Sequence, residues 1–337
     1  MSVKRVFVFV LAAVLVLSML SWQTGTAHAA RTWTVIAGGI TSQGAVVANG
    51  FFPRRIEIGV GDTIRWQFQE FHNVVFLSGA PFPQIEVEQG GKTVFNPQVF
   101  FPVGGKTYDG TGFHNSGVPL EPGKPFSYAL TFTKAGTYQY VCTIHGPGMG
   151  GTVVVKAPFS GPSPSAVLAQ GRQEQARVLA AGSKVWNSKG AVRQGNTVVI
   201  PIVGSIGGRY SIWGYTRRPL TITRGTTVTW EMRDPFEIHT VSFQQGGKFP
   251  KPGSEVMVQP QKQGPPKLSW NPLVLQVTQT KSYDGTAYAN SGLLFTKGFG
   301  PPNAPTSYSL TFTKPGRYTY FCWVHTTTKM GAVIIVK

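Results

Sequence analysis

The chain has 337 residues, of which 41 are Gly, 25 are Pro and 13% are charged, and this balance favours a turn-rich β protein long enough for two domains. Its hydrophobic content of 41% is enough to bury real cores, which excludes disorder over most of the length. The formal net charge of +18 suits an acidic partner protein or an anionic membrane or wall surface, whereas nucleic acid is excluded as a partner because no nucleic-acid-binding motif is present.

The first 29 residues have the pattern of an export signal. Lys4 and Arg5 form a positively charged start, residues 6–20 are an apolar run, and residues 27–29 (Ala-His-Ala) form a small-residue cleavage site. The apolar run is short for a membrane-spanning helix. We therefore expect export to the periplasm or the extracellular space, either free after cleavage or held at the membrane by an uncleaved N-terminal segment. Loss of Lys4 and Arg5 would lower the net charge from +18 to +16.

A series of short strands is predicted in the first half of the chain. Apolar and polar residues alternate with a period of two in several runs, which are separated by Gly, Pro and Asp turns. The clearest runs lie at 54–58, 63–68, 127–133 and 137–141. Many short strands with turn signals between them predict an antiparallel β-sandwich.

Four candidate metal ligands accompany these strands. Cys142, His145 and Met149 lie close together after one predicted strand, and His72 stands 70 residues before the cysteine. Two imidazoles, a thiolate and a thioether are the ligand set of a trigonal copper site with a weak axial methionine. The sulfur ligands suit Cu(I) and the imidazoles suit both oxidation states, so the pattern predicts a mononuclear copper centre that cycles between Cu(I) and Cu(II).

A Gly/Pro/Ser-rich stretch at 158–165 marks a linker after the first half. The residues that follow predict a helix over 166–181, with Ser163 as its N-cap and Pro164 in its first turn. Gly171, in the middle of this segment, weakens the helical pattern.

The second half of the chain repeats the first. The paired segments are 61–66 and 225–230, 108–117 and 283–292, 128–134 and 308–314, and 151–156 and 331–337. The ligand pattern also recurs, as His239, Cys322, His325 and Met330. A repeat of this length indicates domain duplication. We therefore divide the chain into an export signal (1–29), a first domain (31–157), a linker with a helix (158–192) and a second domain (193–337).

Each candidate ligand has a structural alternative. In an exported chain, two cysteines ordinarily suggest one disulfide, but Cys142 and Cys322 occupy equivalent positions of separate repeats, each followed by His and Met. Each methionine could instead be ordinary packing, and its recurrence favours ligation. His114 is the one remaining histidine of the mature chain, and its counterpart is Ala289, which favours a surface or hydrogen-bonding role over a third metal site.

Each half resembles a cupredoxin, a type 1 (blue) copper domain of the plastocyanin and azurin kind. The segments that carry the resemblance are 72–76 and 136–142 in the first half and 239–241 and 316–322 in the second, each with the histidine and methionine that follow the cysteine. The resemblance implies an all-β fold of two tandem Greek-key β-sandwich domains, joined by the partly helical linker. It also implies two coppers per chain, one in each domain.

The resemblance assigns a role to each ligand. In the first domain His72, Cys142 and His145 would be equatorial ligands and Met149 the axial one; in the second the same roles fall to His239, Cys322, His325 and Met330. His145 and His325 would each present one imidazole edge near the surface, as the port through which electrons enter or leave.

The first site departs from the family's usual spacing between histidine and methionine, whereas the second site keeps it. Three residues separate His145 from Met149, whereas four separate His325 from Met330, which predicts two unequal copper centres. Both domains also carry insertions between the first histidine and the cysteine, at 84–117 and 244–292.

The predicted function is an exported electron carrier that exchanges electrons with an acidic redox partner protein. One alternative is a copper-binding or storage module. A less favoured alternative is a copper oxidoreductase of the nitrite-reductase or multicopper-oxidase type. Such enzymes need further histidines, commonly in His-x-His pairs, and only His114 remains after four are assigned. We therefore predict that the chain is not an enzyme.

Overall fold

The computed structural model describes residues 29–244 and 248–337. Apart from residue 29, the predicted export signal lies outside the described residues. Within the described ranges, no helix combines the length and the apolar character needed to cross a membrane.

The first half is built from fourteen short strands. They are β1 (Thr32–Ala37), β2 (Val46–Ala48), β3 (Phe51–Phe52), β4 (Arg55–Gly59), β5 (Thr63–Phe68), β6 (Val75–Phe76), β7 (Glu86–Glu88), β8 (Thr93–Phe95), β9 (Pro102–Val103), β10 (Thr107–Tyr108), β11 (His114–Ser116), β12 (Phe126–Phe132), β13 (Gly136–Val141) and β14 (Gly150–Lys156). One short helix, α1 (Pro97–Phe100), lies between β8 and β9.

The second half follows a long helix, α2 (Pro164–Ser188). Its strands are β15 (Val192–Gln194), β16 (Thr197–Val203), β17 (Tyr210–Ile212), β18 (Leu220–Ile222), β19 (Thr227–Arg233), β20 (Ser242–Phe243), β21 (Val256–Gln259), β22 (Lys267–Trp270), β23 (Ser282–Tyr283), β24 (Ala289–Asn290), β25 (Ser307–Phe312), β26 (Gly316–Phe321) and β27 (Gly331–Val336). A second short helix, α3 (Pro272–Leu275), follows β22.

Each half contains two main sheets with matching strand order. One sheet has the order β10-β12-β5-β1-β3 in the first half and β23-β25-β19-β16-β15 in the second. The other has the order β4-β14-β13-β6-β11-β9 in the first half and β18-β27-β26-β20-β24 in the second. Parallel pairs such as β1 with β5 and β16 with β19 occur alongside antiparallel ones, so the sheets are mixed. The predicted all-β fold is confirmed.

The strands form because β-branched and aromatic residues recur at every second position. In β19 the side chains of Val228, Trp230 and Met232 are buried, while those between them are partly exposed. In β5 Ile64 and Trp66 are buried in the same way. Alternating burial places one row of side chains between the two sheets of each half, where they form one hydrophobic core per half.

The two halves are joined by a shared β-ladder. Strand β2 of the first half pairs antiparallel with β17 of the second, with Val47 opposite Ser211. The side chain of Val47 is fully buried in the core of the second half. Asn49 adds a hydrogen bond from its Nδ2 to Ser211 Oγ, at 3.0 Å.

Helix α2 covers this ladder on one side. It contacts β1, β2 and β3 of the first half and β17 of the second. Ser163 is its N-cap and accepts a hydrogen bond from the backbone N–H of Ala166. The helix ends at Ser188, seven residues beyond the predicted end at residue 181, because its C-terminal part packs against the second half.

The two insertions form a second contact between the halves. Each contains a β-hairpin (β7–β8 and β21–β22) followed by a one-turn helix (α1 and α3). Strands β8 and β22 contact each other, and the ring of Phe95 packs edge-on against Trp270 at 4.9 Å between centroids. Trp270 Nε1 donates to Glu86 Oε1 at 2.5 Å. The insertions therefore hold the two halves together.

Candidate metal centres

In each half, adjacent strands bring the distant histidine to the cysteine. His72 lies just before β6 and Cys142 just after β13, and these two strands pair with Val75 opposite Val141. In the second half β20 and β26 make the same pairing, which places His239 beside Cys322. The remaining histidine and methionine lie in the loop that follows each cysteine.

Three ligand atoms converge at the first site. His72 Nδ1 lies 3.0 Å from His145 Nδ1, and Cys142 Sγ lies 3.4 Å from His145 Nδ1. The three donor atoms all lie within 4.8 Å of one another, and all three side chains are buried.

The second site has nearly the same arrangement. Cys322 Sγ lies 3.4 Å from His325 Nδ1 and 3.8 Å from His239 Nδ1. The imidazole centroids are 4.7 Å apart here, against 4.6 Å at the first site. These are two separate groups of three candidate ligands, and both cysteines are free thiols and not a disulfide.

The two ligand loops close in the same way although one is a residue longer. The N–H of Cys142 donates to Met149 O at 2.9 Å, and the N–H of Cys322 donates to Met330 O at 2.9 Å. Each loop has one residue in the left-handed region, Gly146 at φ 71° in the shorter loop and Lys329 at φ 54° in the longer one. Both methionine side chains are buried in the core of their half, as an axial position requires.

The residue after each distant histidine holds the ligand loop. Asn73 Oδ1 accepts from the N–H of Thr143 at 2.8 Å, and Thr240 Oγ1 accepts from the N–H of Trp323 at 2.9 Å. The N–H of Thr240 also points at Cys322 Sγ, at 3.3 Å. Hydrogen bonds of this kind orient ligands and tune the metal that they bind.

The repeated Asn-Ser-Gly segment supports the histidine from the other side. Ser116 Oγ accepts from the N–H of Val74, and Ser291 Oγ accepts from the N–H of Val241, each two residues after the ligand. Asn115 and the equivalent asparagine in β24 each donate to two carbonyls of the neighbouring one-turn helix and to the carbonyl of its C-cap residue. This segment therefore links each insertion to its metal site.

His145 and His325 were expected to expose one imidazole edge each, but both side chains are buried. That expectation is therefore wrong. His145 is 6% exposed and His325 is 5% exposed, because the ligand ends of the two halves face each other. Between them lies Glu237, which is 8% exposed. His145 Nε2 is 3.2 Å from Glu237 Oε1, and His325 Nε2 is 3.5 Å from Glu237 Oε2.

Sequence reasoning missed Glu237, although the repeat contains a signal for it. A glutamate stands two residues before the distant histidine in both halves, as Glu70 before His72 and Glu237 before His239. Trp213, also missed, packs its ring on His325 at 4.1 Å between centroids and donates Nε1–H to Glu237 Oε1 at 3.3 Å.

Where the two halves meet, the charges of Glu237, His145 and His325 stabilise one another. Burial opposes protonation of His145 and His325, but the neighbouring Glu237 and the cysteine of each site raise the pKa of both imidazoles to about 10. Burial would raise the pKa of Glu237, yet the two imidazoles lower it well below its usual value. Burial raises the pKa of Glu70 to about 7. Glu237 is therefore a buried carboxylate anion held by two ring N–H groups.

The pKa values of His72 and Cys322 are lowered, in contrast to those of His145 and His325. Burial, together with the nearby His145, lowers the pKa of His72 well below its usual value, which favours the neutral imidazole. Its ring lies against Gly38, where a Cβ atom would stand 2.3 Å from His72 Nε2. At the second site His325 lowers the pKa of Cys322 well below its usual value despite burial, which favours the thiolate.

His114 lies outside both ligand groups. Its Nε2 is 3.1 Å from Thr107 O and its Nδ1 is 3.3 Å from Gly112 O, so both ring nitrogens face backbone carbonyls. The ring packs edge-on against Tyr108, at 5.0 Å between centroids. These contacts fit a hydrogen-bonding role.

The residues at both sites fit copper. Each provides two imidazole nitrogens and a thiol sulfur that converge without water access, with a buried thioether in the adjoining loop. Soft sulfur with imidazole is the donor set that accepts both Cu(I) and Cu(II), whereas Ca²⁺ and Mg²⁺ prefer oxygen ligands.

Comparison with known proteins gives the same indication for the first half. Residues 41–156 match the family of copper binding proteins described as the plastocyanin/azurin family. Among solved structures, an oxidized methionine-to-leucine mutant of amicyanin is 26% identical, with a TM-score of 0.20, and the match covers 37% of this chain and 81% of that one. A reduced tryptophan-to-tyrosine mutant of amicyanin is 26% identical, with a TM-score of 0.21, over 39% of this chain and 87% of that one. No curated protein matches the chain.

Proposed function

Because residues 41–156 belong to the plastocyanin/azurin family of copper-binding proteins, we propose that this chain is an exported electron-transfer protein with two type 1 copper centres. The observation that carries the proposal is the convergence of His, Cys and His donor atoms in each half. The second half supports a second copper because its sheets have the same strand order and its cysteine Sγ lies 3.4 Å from the nearer histidine Nδ1, as in the first half.

The ligands perform this function by staying in place. Bound copper supplies one-electron chemistry, alternating between Cu(I) and Cu(II). Cys142 and Cys322 would provide the thiolates, His72, His145, His239 and His325 the imidazoles, and Met149 and Met330 the thioethers that hold it. Each set is anchored by paired strands and by hydrogen bonds to the ligand loop, so little rearrangement accompanies a change of oxidation state.

An electron carrier accounts for the side chains better than a copper oxidoreductase does. In the described part of the chain, two groups of three candidate ligands occur, and each is used by one type 1 site. His114 points both ring nitrogens at backbone carbonyls. The catalytic copper of an oxidoreductase would need histidines beyond these.

Export and partner choice are part of the same proposal. The N-terminal pattern supports export to the periplasm or the extracellular space, and the excess of basic residues supports an acidic redox partner or an anionic surface. Mass spectrometry of the secreted protein would identify its N-terminus. Association with an acidic partner should weaken as salt rises, because exposed charges are screened.

Copper loading tests the central claim. We expect two coppers per chain and an intense thiolate-to-Cu(II) absorption band that bleaches on reduction. Cys142→Ser and Cys322→Ser should each remove one copper and about half of the band, because each thiolate belongs to one site. His114→Ala is the matched control and should keep both coppers. A chain that binds one copper, or none, would contradict the proposal.

A further inference from the structure

One buried carboxylate joins the ligand sets of the two halves. Each oxygen of Glu237 faces the Nε2 atom of a different histidine, at 3.2 Å for His145 and 3.5 Å for His325. The Nδ1 atom of each of these imidazoles points into its own metal site. Ring, carboxylate and ring therefore form a continuous connection from one site to the other.

This arrangement differs from the usual partner of a metal-binding histidine. Such a histidine commonly donates its second ring N–H to a carboxylate, which fixes its tautomer and orientation. Here a single carboxylate accepts from two such histidines, which belong to different halves. Trp213 holds the carboxylate by its Nε1–H and stacks on His325, so the position of the bridge is restricted.

The equivalent glutamate of the first half makes no such bridge. Glu70 precedes His72 by two residues, as Glu237 precedes His239. Among the hydrogen bonds and ion pairs seen in the described residues, none joins the Glu70 carboxylate to an imidazole. The repeat thus provides two glutamates in matching positions, of which one bridges.

We propose that Glu237 is a positioning residue that couples the two centres, so that the chain exchanges electrons internally between its halves. The inference rests on the proposed function, since it requires copper in both sites. One electron passes between the halves, so that Cu(I) becomes Cu(II) on one side and Cu(II) becomes Cu(I) on the other. Both Nε2–H protons stay on their rings and Glu237 stays a carboxylate, so no other reactant is needed.

The rate of internal electron transfer tests the role of Glu237. All chains in the comparison carry Met149→Leu, which gives the two sites different axial surroundings and hence distinct potentials and spectra. The copper-loaded full chain is reduced by less than one electron in a flash, and redistribution between the sites is followed by absorbance. In the parent chain the redistribution rate should not depend on protein concentration, as expected of an internal step.

Two substitutions break the bridge in steps. Glu237→Gln keeps the shape of the side chain but accepts from only one ring N–H. It should slow redistribution about tenfold, which is the lower end of the effect of losing a carboxylate partner of a metal-bound histidine. Glu237→Leu accepts from neither and should slow it further. Glu70→Gln is the matched control and should leave the rate within about twofold, because its loss removes no partner of this kind.

The outcomes separate this inference from the proposed function. If the Glu237 variants hold two coppers and redistribute electrons as fast as the parent chain, the bridge is not used and the inference fails while the function stands. If the chain without any substitution does not bind two coppers, the proposed function fails.

Nitrogen-15 NMR of the Cu(I) protein gives a second test that does not depend on how stable the Glu237→Leu chain is. The Nε2–H signals of His145 and His325 should both be visible and protected from solvent exchange in the parent chain. In Glu237→Gln at least one of them should shift and exchange faster. Two unprotected Nε2–H signals in the parent chain would overturn the inference.

Discussion

The axial methionines show how a change of one residue in a ligand loop is absorbed locally. Met149 follows its histidine by four positions and Met330 by five, yet the carbonyl of each accepts the N–H of the preceding cysteine at 2.9 Å. The four residues between His325 and Met330 thus fit within the same loop closure as the three between His145 and Met149. The spacing alone therefore does not make one methionine available for ligation and the other not.

Replacing each methionine in turn measures its role as an axial ligand. Met149→Leu and Met330→Leu should each raise the reduction potential of their own site, because loss of the thioether leaves Cu(II) with one donor fewer in an apolar environment. Spectroelectrochemical titration of the copper-loaded chain follows both sites. The unaltered site of each variant is the internal control. An unchanged potential in the altered site would show that the methionine only packs.

At the level of the single element, the packing of helix α2 requires a glycine, Gly171, that lowers the helix propensity of its sequence. Gly171 weakens the helical pattern, but in the structure its surface lies against the backbone of β3. A Cβ atom at this position would stand 2.6 Å from Phe52 O. Helix propensity is a local property, whereas the close approach of a helix to a strand depends on the whole fold, so the sequence alone could not predict this requirement.

Gly171→Ala should therefore destabilise the protein. In an exposed helix the same change stabilises by about 1 kcal/mol, because alanine is the better helix former. Here the new methyl group meets backbone atoms that cannot move aside, and overpacking of this kind costs about 1–3 kcal/mol. Chemical denaturation of the full chain measures the difference. Ala181→Gly, at an exposed position of the same helix, is the control for propensity and should cost about 1 kcal/mol. An increase in stability for Gly171→Ala would contradict the packing argument.

The extent to which sequence predicts the site also differs between neighbouring elements. Cys142, His145 and Met149 lie in one loop, and their local spacing is enough to predict them as ligands. His72 could be added because the pattern occurs twice. Glu237 contacts His145 across 92 positions of sequence and a domain boundary, so its role depends on how the halves pack, which no local pattern describes.

At the level of the whole molecule, packing of the two halves covers the histidine edges that were expected to exchange electrons with a partner in a single domain of this kind. The Nε2 edges of His145 and His325 face Glu237 and not solvent. A shared ladder, helix α2 and the insertion hairpins hold the halves in this arrangement. The resemblance of each half to a single copper domain implied that those edges lie at the surface, because each half taken alone has nothing to cover them.

Loosening the insertion contact should reopen that route. Trp270 packs on Phe95 and bonds to Glu86, and the apolar cluster around them includes Ile144, the neighbour of His145. Trp270→Ala removes these contacts and should cost less than the about 3–5 kcal/mol of a fully buried tryptophan, because Trp270 is only partly buried. With His145 more often exposed, a small hydrophilic reductant should reduce the first site faster than in the parent chain. Val258→Ala, an exposed change on the same hairpin, should leave the rate unaltered. Stopped-flow mixing measures the rate at which the reductant reduces the first site. Equal rates in both variants would mean that the insertions do not control access to the copper ligands.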